Sequence, residues 1–257
     1  MDLFSNNKDI NVAIAAGGVA GRAHRRAGGG SQDAFAWVTA GRVTAAAVAD
    51  GCSAGAGSAL GAGVGARLGA AHAARRAAAG EELAELPRSV VADVVAELAR
   101  LARACALDDD GASRLVADAL LATLHVCVVR GGEWCAFGVG DGVVLVDDEL
   151  VVLDEGDAPD YPAYALFPSL PAPRVRVHHC GAVRRGIVLG TDGCKELLAR
   201  QHETLPNGTA VGGLADQLAD ERWAKNPSLL HKRLFAWAEH AGAPGDDCTL
   251  VVLRRSA

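Results

Sequence analysis

Leu120-Leu121-Ala122-Thr123-Leu124-His125-Val126-Cys127-Val128-Val129 opens a series of apolar runs. It continues with Trp134-Cys135-Ala136-Phe137-Gly138-Val139, Val143-Val144-Leu145-Val146 and Val151-Val152-Leu153. Gly131-Gly132, Gly140-Asp141-Gly142 and Asp147-Asp148 separate them. Short β-branched runs bounded by Gly and Asp pairs predict strands joined by tight turns, hence an antiparallel meander over 120–153.

Upstream of this stretch the period changes. Val90, Val91, Val94, Leu98 and Leu101 recur at three- and four-residue steps, predicting a helix over Leu83–Ala106. Ser53–Ala79, rich in Ala and Gly, reads as a helix able to pack closely on a sheet. Within it, Gly61-Ala62-Gly63-Val64-Gly65 lacks the Gly-Lys-Ser/Thr of a phosphate loop and reads as helix packing. Asp108-Asp109-Asp110-Gly111 reads as a solvated loop. Further upstream, Ala34–Val38 and Val43–Ala49 flank Gly41-Arg42 as a hairpin. The second arm is apolar throughout, and so is placed centrally in a sheet. Asn11–Ala16 is a short strand, followed by a Gly/Arg-rich loop from Gly17 to Ser31.

Downstream, Asp154–Pro173 is proline-rich and reads as a long loop. Val175–His179 and Val183–Leu189 read as strands, and Lys195–Gln201, Val211–Asp220 and Pro227–Ala241 as helices. Thr249–Arg254 is a final strand. Strands, helices, strands, helices and strand in that order, with hairpin links, describe an α+β fold of antiparallel sheets and not a βαβ succession.

Length and composition narrow the function. The 257 residues are read as one domain (1–257, core about 12–254), and half are hydrophobic, enough for a sizeable core. A net charge of -6 disfavours nucleic acid as a partner. Met1–Lys8 has no basic-then-apolar leader pattern, and no apolar stretch reaches the ~18 residues of a membrane span. Seven cysteines stand singly at 52, 105, 127, 135, 180, 194 and 248, without Cys-x-x-Cys, which reads as reduced thiols in a cytoplasmic protein. His178-His179 lacks a third nitrogen or sulfur ligand at regular spacing, and Trp134, Trp223 and Trp237 read as packing residues.

Four aspartates sit at the ends of apolar runs: Asp33 in Gln32-Asp33-Ala34, Asp50 in Val48-Ala49-Asp50-Gly51, Asp192 in Gly190-Thr191-Asp192-Gly193, and Asp246 in Gly245-Asp246-Asp247-Cys248-Thr249. Singly, each reads as a turn. Carboxylates gathered inside a fold are costly unless cations neutralise them, so the set points to a hard-metal site assembled from distant segments.

Taken with Gly138-Val139-Gly140-Asp141-Gly142 and with His24-Arg25-Arg26-Ala27-Gly28, these motifs fall in the order of the type 2C metal-dependent protein serine/threonine phosphatases. The resemblance covers about 12–254, and the His24–Gly28 stretch looks like the bacterial branch. It implies two packed antiparallel sheets flanked by helices on both sides, with the metal site at one edge of the sandwich. It also implies two Mn²⁺ or Mg²⁺ ions. Asp50 would bridge both, the Gly51 carbonyl would help bind one, and Asp192 and Asp246 would complete the other. Asp33 would ligate directly or through water. Asp141 stands where some members hold a third ion, though a solvated turn residue is an equal reading. A hydroxide shared by the two ions would attack phosphorus in line.

The resemblance further implies phosphorylated protein as substrate and a kinase whose action is reversed. Two departures stand out. Cys52 replaces the histidine that some members carry after the second Asp-Gly. The phosphate-binding arginine has three candidates, Arg22, Arg25 and Arg26, of which Arg26 is favoured. These departures leave open a catalytically weak module that binds phosphoproteins or regulates a partner kinase. His24 reads as a structural hydrogen-bonding residue.

Overall fold

In a computed structural model, residues 12–156 and 158–256 are described. The leader reading of Met1–Lys8 and the predicted start of the first strand at Asn11 lie outside them. In chain order the elements are β1 (Val12–Val19), α1 (Arg22–Arg26), β2 (Ala34–Ala40), β3 (Val43–Ala49), α2 (Ser58–Ala78), α3 (Leu86–Cys105) and α4 (Asp109–Leu115). There follow β4 (Leu124–Arg130), β5 (Glu133–Val139), β6 (Gly142–Val146), β7 (Glu149–Leu153), β8 (Arg176–Ala182) and β9 (Gly186–Gly190). The chain then runs through α5 (Cys194–Ala199), α6 (Leu214–Ala219), α7 (Ser228–Ala241) and β10 (Cys248–Arg255).

Two antiparallel five-stranded sheets form, in the orders β1-β10-β9-β6-β7 and β2-β3-β4-β5-β8. Alternation along each strand decides how they stack. Ala45, Ala47 and Ala49 of β3 and Val126 and Val128 of β4 join a core with α2 and α3. Their neighbours Ala46, Val48, Cys127 and Val129 face Ile187, Leu189, Val251 and Leu253 in a second core between the sheets. Val188, Leu250 and Val252 turn the other way, onto Leu197, Leu214, Leu218, Leu230 and Trp237. The result is a helix–sheet–sheet–helix sandwich. β3 lies between β2 and β4, as its uninterrupted apolar run predicts. The small residues of α2 explain its closeness to the sheet: Ala62, Ala66, Ala70, Ala73 and Ala77 are all buried.

Several sequence expectations shift. The meander over 120–153 is divided: β4 and β5 belong to one sheet, β6 and β7 to the other, and the crossing runs through Gly140–Gly142. Periodicity cannot see this, because a hairpin turn and a sheet-to-sheet crossing use the same residues. Residues 120–123 are not strand: Val116–Leu120 forms a π-helical turn. Asp108–Asp110 is not a loop either. Asp108 caps α4, its carboxylate accepting from the Gly111 N–H at 2.6 Å, with Asp109 and Asp110 in the first turn where the helix dipole favours anions. The Gly17–Ser31 loop contains the end of β1 and the short α1. β8 and β9 start later than predicted; for β9 the reason is that Asp147 accepts from the N–H groups of Arg184, Arg185 and Gly186, bending the chain at Arg184 and Arg185 just before the strand. The helix expected over Val211–Asp220 is only Leu214–Ala219.

Candidate active site

Sheet register gathers the aspartates. β2 pairs with β3 so that Ala34 faces Ala49, which leaves Asp33 and Asp50 side by side just past the paired residues. β9 pairs with β10 so that Gly190 faces Leu250, bringing the segments that carry Asp192 and Asp246 to the same end of the sandwich. Asp50, Gly51, Asp141, Asp192 and Asp246 line one cavity of about 270 Å³, together with Cys52, Thr123 and Tyr161. Asp33 lies within hydrogen-bonding reach of Asp50, and Asp50 within reach of Asp192. A larger cleft of about 650 Å³, beside Arg42 and Arg130, has Glu133 as its one acidic wall residue among those described.

Neutral hydrogen-bonding groups hold these carboxylates in place. The Thr191 hydroxyl donates to Asp33 Oδ2 at 2.7 Å and accepts from the Thr249 N–H at 3.0 Å, tying β9, β10 and the start of β2 together. Thr123 Oγ1 accepts from the Asp50 N–H at 3.1 Å, and the Thr123 N–H donates to the Asp50 carbonyl at 2.8 Å. Asp247 is buried and fully engaged: its Oδ1 accepts from the Gly21 N–H at 2.6 Å and pairs with His24 Nδ1 at 2.8 Å, while Oδ2 accepts from the Gln32 N–H. The structural role read for His24 is thus supplied by Asp247, whose hydrogen bond raises the imidazole above its ordinary pKa. Gly193 lets the Asp192 turn pass beneath the Asp247 backbone: a Cβ there would overlap the Asp247 carbonyl oxygen.

The electrostatics follow from crowding. Burial, opposed by the Thr191 hydrogen bond and aided by Asp247, pushes Asp33 up to about 7. Burial and then the charges of Asp33, Asp192 and Asp246 lift Asp50 well above the usual carboxylate range. Burial and Asp246 raise Asp192, and burial and Asp192 push Asp141 up to about 6; Lys195 opposes both shifts. Asp33 Oδ1 and Asp192 Oδ1 are buried with no hydrogen-bond partner. An all-oxygen donor set with orphaned buried oxygens and mutual repulsion is the chemistry a hard divalent cation would satisfy.

The arginines are placed differently. Arg25 donates to the Ala20 and Ala243 carbonyls, and Arg22 to that of Gly242 at 3.4 Å. Arg26 is exposed on the last turn of α1. None of the three lines the cavity. Cys52 does, with its thiol in hydrogen-bonding reach of the Tyr161 phenol. Sequence reasoning missed Thr123, Thr191, Tyr161 and the role of Asp247. The Asp-Asp pair carried a trace of the last; Thr and Tyr in a strand or loop carry none.

Known proteins place this arrangement. A family profile described as "Protein phosphatase 2C" matches residues 20–231. Among solved structures, a point variant of a bacterial serine phosphatase superposes with a TM-score of 0.57 at 13% identity, over 96% of this chain and 100% of that one. The serine/threonine phosphatase of S. agalactiae superposes at 0.56 and 16% identity, covering 96% and 100%. Serine/threonine phosphatase Stp1 from Staphylococcus aureus gives 0.52 at 13% identity, covering 100% and 98%. No curated protein matches. The structural likenesses establish the fold, and the profile, which takes in Asp33, Asp50 and Asp192, establishes the family: the chain belongs to the protein phosphatase 2C family of protein serine/threonine phosphatases.

Proposed function

We propose that the chain hydrolyses phosphoserine and phosphothreonine in proteins, with Mn²⁺ or Mg²⁺ held by the aspartate cluster. The observation that carries this is the convergence of Asp50, Asp192 and Asp246 on one cavity with Asp33 against Asp50, each with few neutralising partners of its own. Asp50, central to the set, would be shared by the ions, and the Gly51 carbonyl beside it would help hold one of them. Asp192 and Asp246 would hold the other ion, and Asp33 would serve directly or through water. When bound, the ions supply water activation and neutralise phosphoryl charge. The protein's own part is to hold the carboxylates in register through Thr123 and Thr191 and to wall the cavity with Tyr161. Arg26, exposed on the helix whose His24 pairs with Asp247, is the candidate phosphate clamp. Cys52 stands in the cavity wall where some members carry a histidine, and the proton for the leaving alkoxide would come from water or another side chain. A kinase that phosphorylates the same protein would supply the substrate. Among the described residues no helix is long and apolar enough to cross a membrane.

The test is hydrolysis of p-nitrophenyl phosphate and a phosphothreonine peptide with Mn²⁺. Asp50→Ala and Asp192→Asn are expected to lose activity by ~10³-fold or more, the scale of losing an electrostatic group at the reacting centre. Equal activity in wild type and variants sinks the mechanism. A second reading, a phosphoprotein-binding module with weak turnover, draws on Cys52 in the cavity wall where some members carry a histidine. Calorimetry showing tight phosphopeptide binding at saturating Mn²⁺ without turnover would select it.

A further inference from the structure

Asp141 stands apart from the other cavity carboxylates in what holds it. It is 5% exposed, at the Gly140–Gly142 crossing between the two sheets. His125, fully buried on β4, meets the Asp141 main-chain carbonyl through Nε2 at 2.6 Å, which fixes the crossing. The carboxylate so positioned faces an ammonium: Lys195 Nζ lies 3.9 Å from Asp141 Oδ2. The same ammonium lies 3.5 Å from Asp154 Oδ1. Asp154 opens the segment whose Gly156, Pro159 and Tyr161 form part of the cavity wall.

The local sequence explains why a lysine arrives here. Asp192-Gly193 ends the β9 segment and α5 begins at Cys194, so the first turn of this helix projects Lys195 beside the carboxylate just before it. One short turn delivers both a candidate metal ligand and a cation. Lys195 keeps about a third of its side chain exposed, so its ammonium is hydrated on one side and bound to carboxylates on the other.

We propose that Lys195 is the resident cation of the Asp141 corner, so that the acidic site of this chain closes with two divalent ions and takes no third. The proposal rests on the two-ion reading of Asp33, Asp50, Asp192 and Asp246. Its physical content is charge competition. A carboxylate with an ammonium 3.9 Å away has less to gain from a dication, and a dication placed there would sit against a like charge. Lys195 also ties the Asp154 turn to the Asp141 crossing, so an ion at Asp141 would have to displace that bridge.

The experiment counts ions and does not depend on turnover. Chelator-stripped protein is titrated with Mn²⁺, following the free-ion electron paramagnetic resonance signal, with native mass spectrometry reading stoichiometry. Wild type is expected to take up about two ions per chain, Lys195→Met about three, and Lys195→Arg about two, because the arginine restores the cation. The double variant Lys195→Met/Asp141→Asn is expected to return to about two, locating the gained ion at Asp141. Three ions in the wild type, or an unchanged count in a Lys195→Met variant whose circular dichroism matches wild type, overturns the proposal. A wild type that binds fewer than two ions overturns the two-ion reading itself, and this proposal with it.

Discussion

Replacing Asp33 by Asn should stabilise the metal-free protein, although Asp33 is proposed to help hold its metal ions. Asp33 is held up to about 7 against an ordinary 3.8, chiefly by burial. Its folded-state pKa is raised, so the stability it contributes is fully present below about 3.8 and is lost as pH rises toward about 7. Above that point the fold carries a buried carboxylate that the unfolded chain would hydrate. At 1.36 kcal/mol per decade of displaced acidity, a displacement of about three decades amounts to ~4 kcal/mol. Asn keeps the shape and can still accept from the Thr191 hydroxyl, so most of that cost should be relieved.

Urea unfolding in chelator, at about pH 5 and about pH 8, measures it. Asp33→Asn should exceed wild type by ~2–4 kcal/mol at the higher pH and by much less at the lower. With Mn²⁺ at ~100 times its Kd, wild type should gain ~2.7 kcal/mol and the variant less, narrowing or reversing the order. A variant no more stable than wild type in chelator at about pH 8, or with an unchanged difference at both pH values, refutes the account of the site as a repulsive cluster awaiting cations.

Three further perturbations probe the scaffold. Gly193→Ala drives a Cβ into the Asp247 carbonyl oxygen, so backbone must move; Mn²⁺ affinity should drop by ~10-fold or more and stability by ~1–3 kcal/mol, read by calorimetry and urea melts. Thr191→Val removes the donor to Asp33 and the acceptor for the Thr249 N–H, and should cost ~1–3 kcal/mol while raising the Mn²⁺ concentration needed for half-maximal activity. Leu86→Ala empties a fully buried position in the core under α3, and should cost ~2–5 kcal/mol with metal affinity unchanged, read by the same melts and calorimetry.

Legibility in the sequence tracked the range of the interaction. The apolar period of Val90, Val91, Val94 and Leu98 announced α3, and the unbroken run Val43–Ala49 announced a central strand, because burial of a repeating face is a local property. The failures were where a side chain elsewhere redefined a boundary. Asp147 capping three N–H groups moved the start of β9, and Asp108 turned an acidic run into a helix start. The crossing at Gly140–Gly142 passed for a hairpin because the choice between pairing within one sheet and passing to the other is made by what packs on each face.

The site divides along the same line. Residue types and their order carried the acidic set Asp33, Asp50, Asp192 and Asp246 and an α+β fold of antiparallel sheets, since oxygen-ligand chemistry and strand periodicity are written residue by residue; the two-sheet sandwich was implied by the family resemblance alone. That Asp50, Asp192 and Asp246 share one cavity with Asp33 against Asp50, that Thr191 holds Asp33 there while Asp247 anchors the Gly21 and Gln32 backbone, that Arg22, Arg25 and Arg26 stand off the cavity wall and that Lys195 meets Asp141 appear only in three dimensions. Those facts depend on sheet register and on contacts between segments as much as 226 positions apart, which no local pattern encodes.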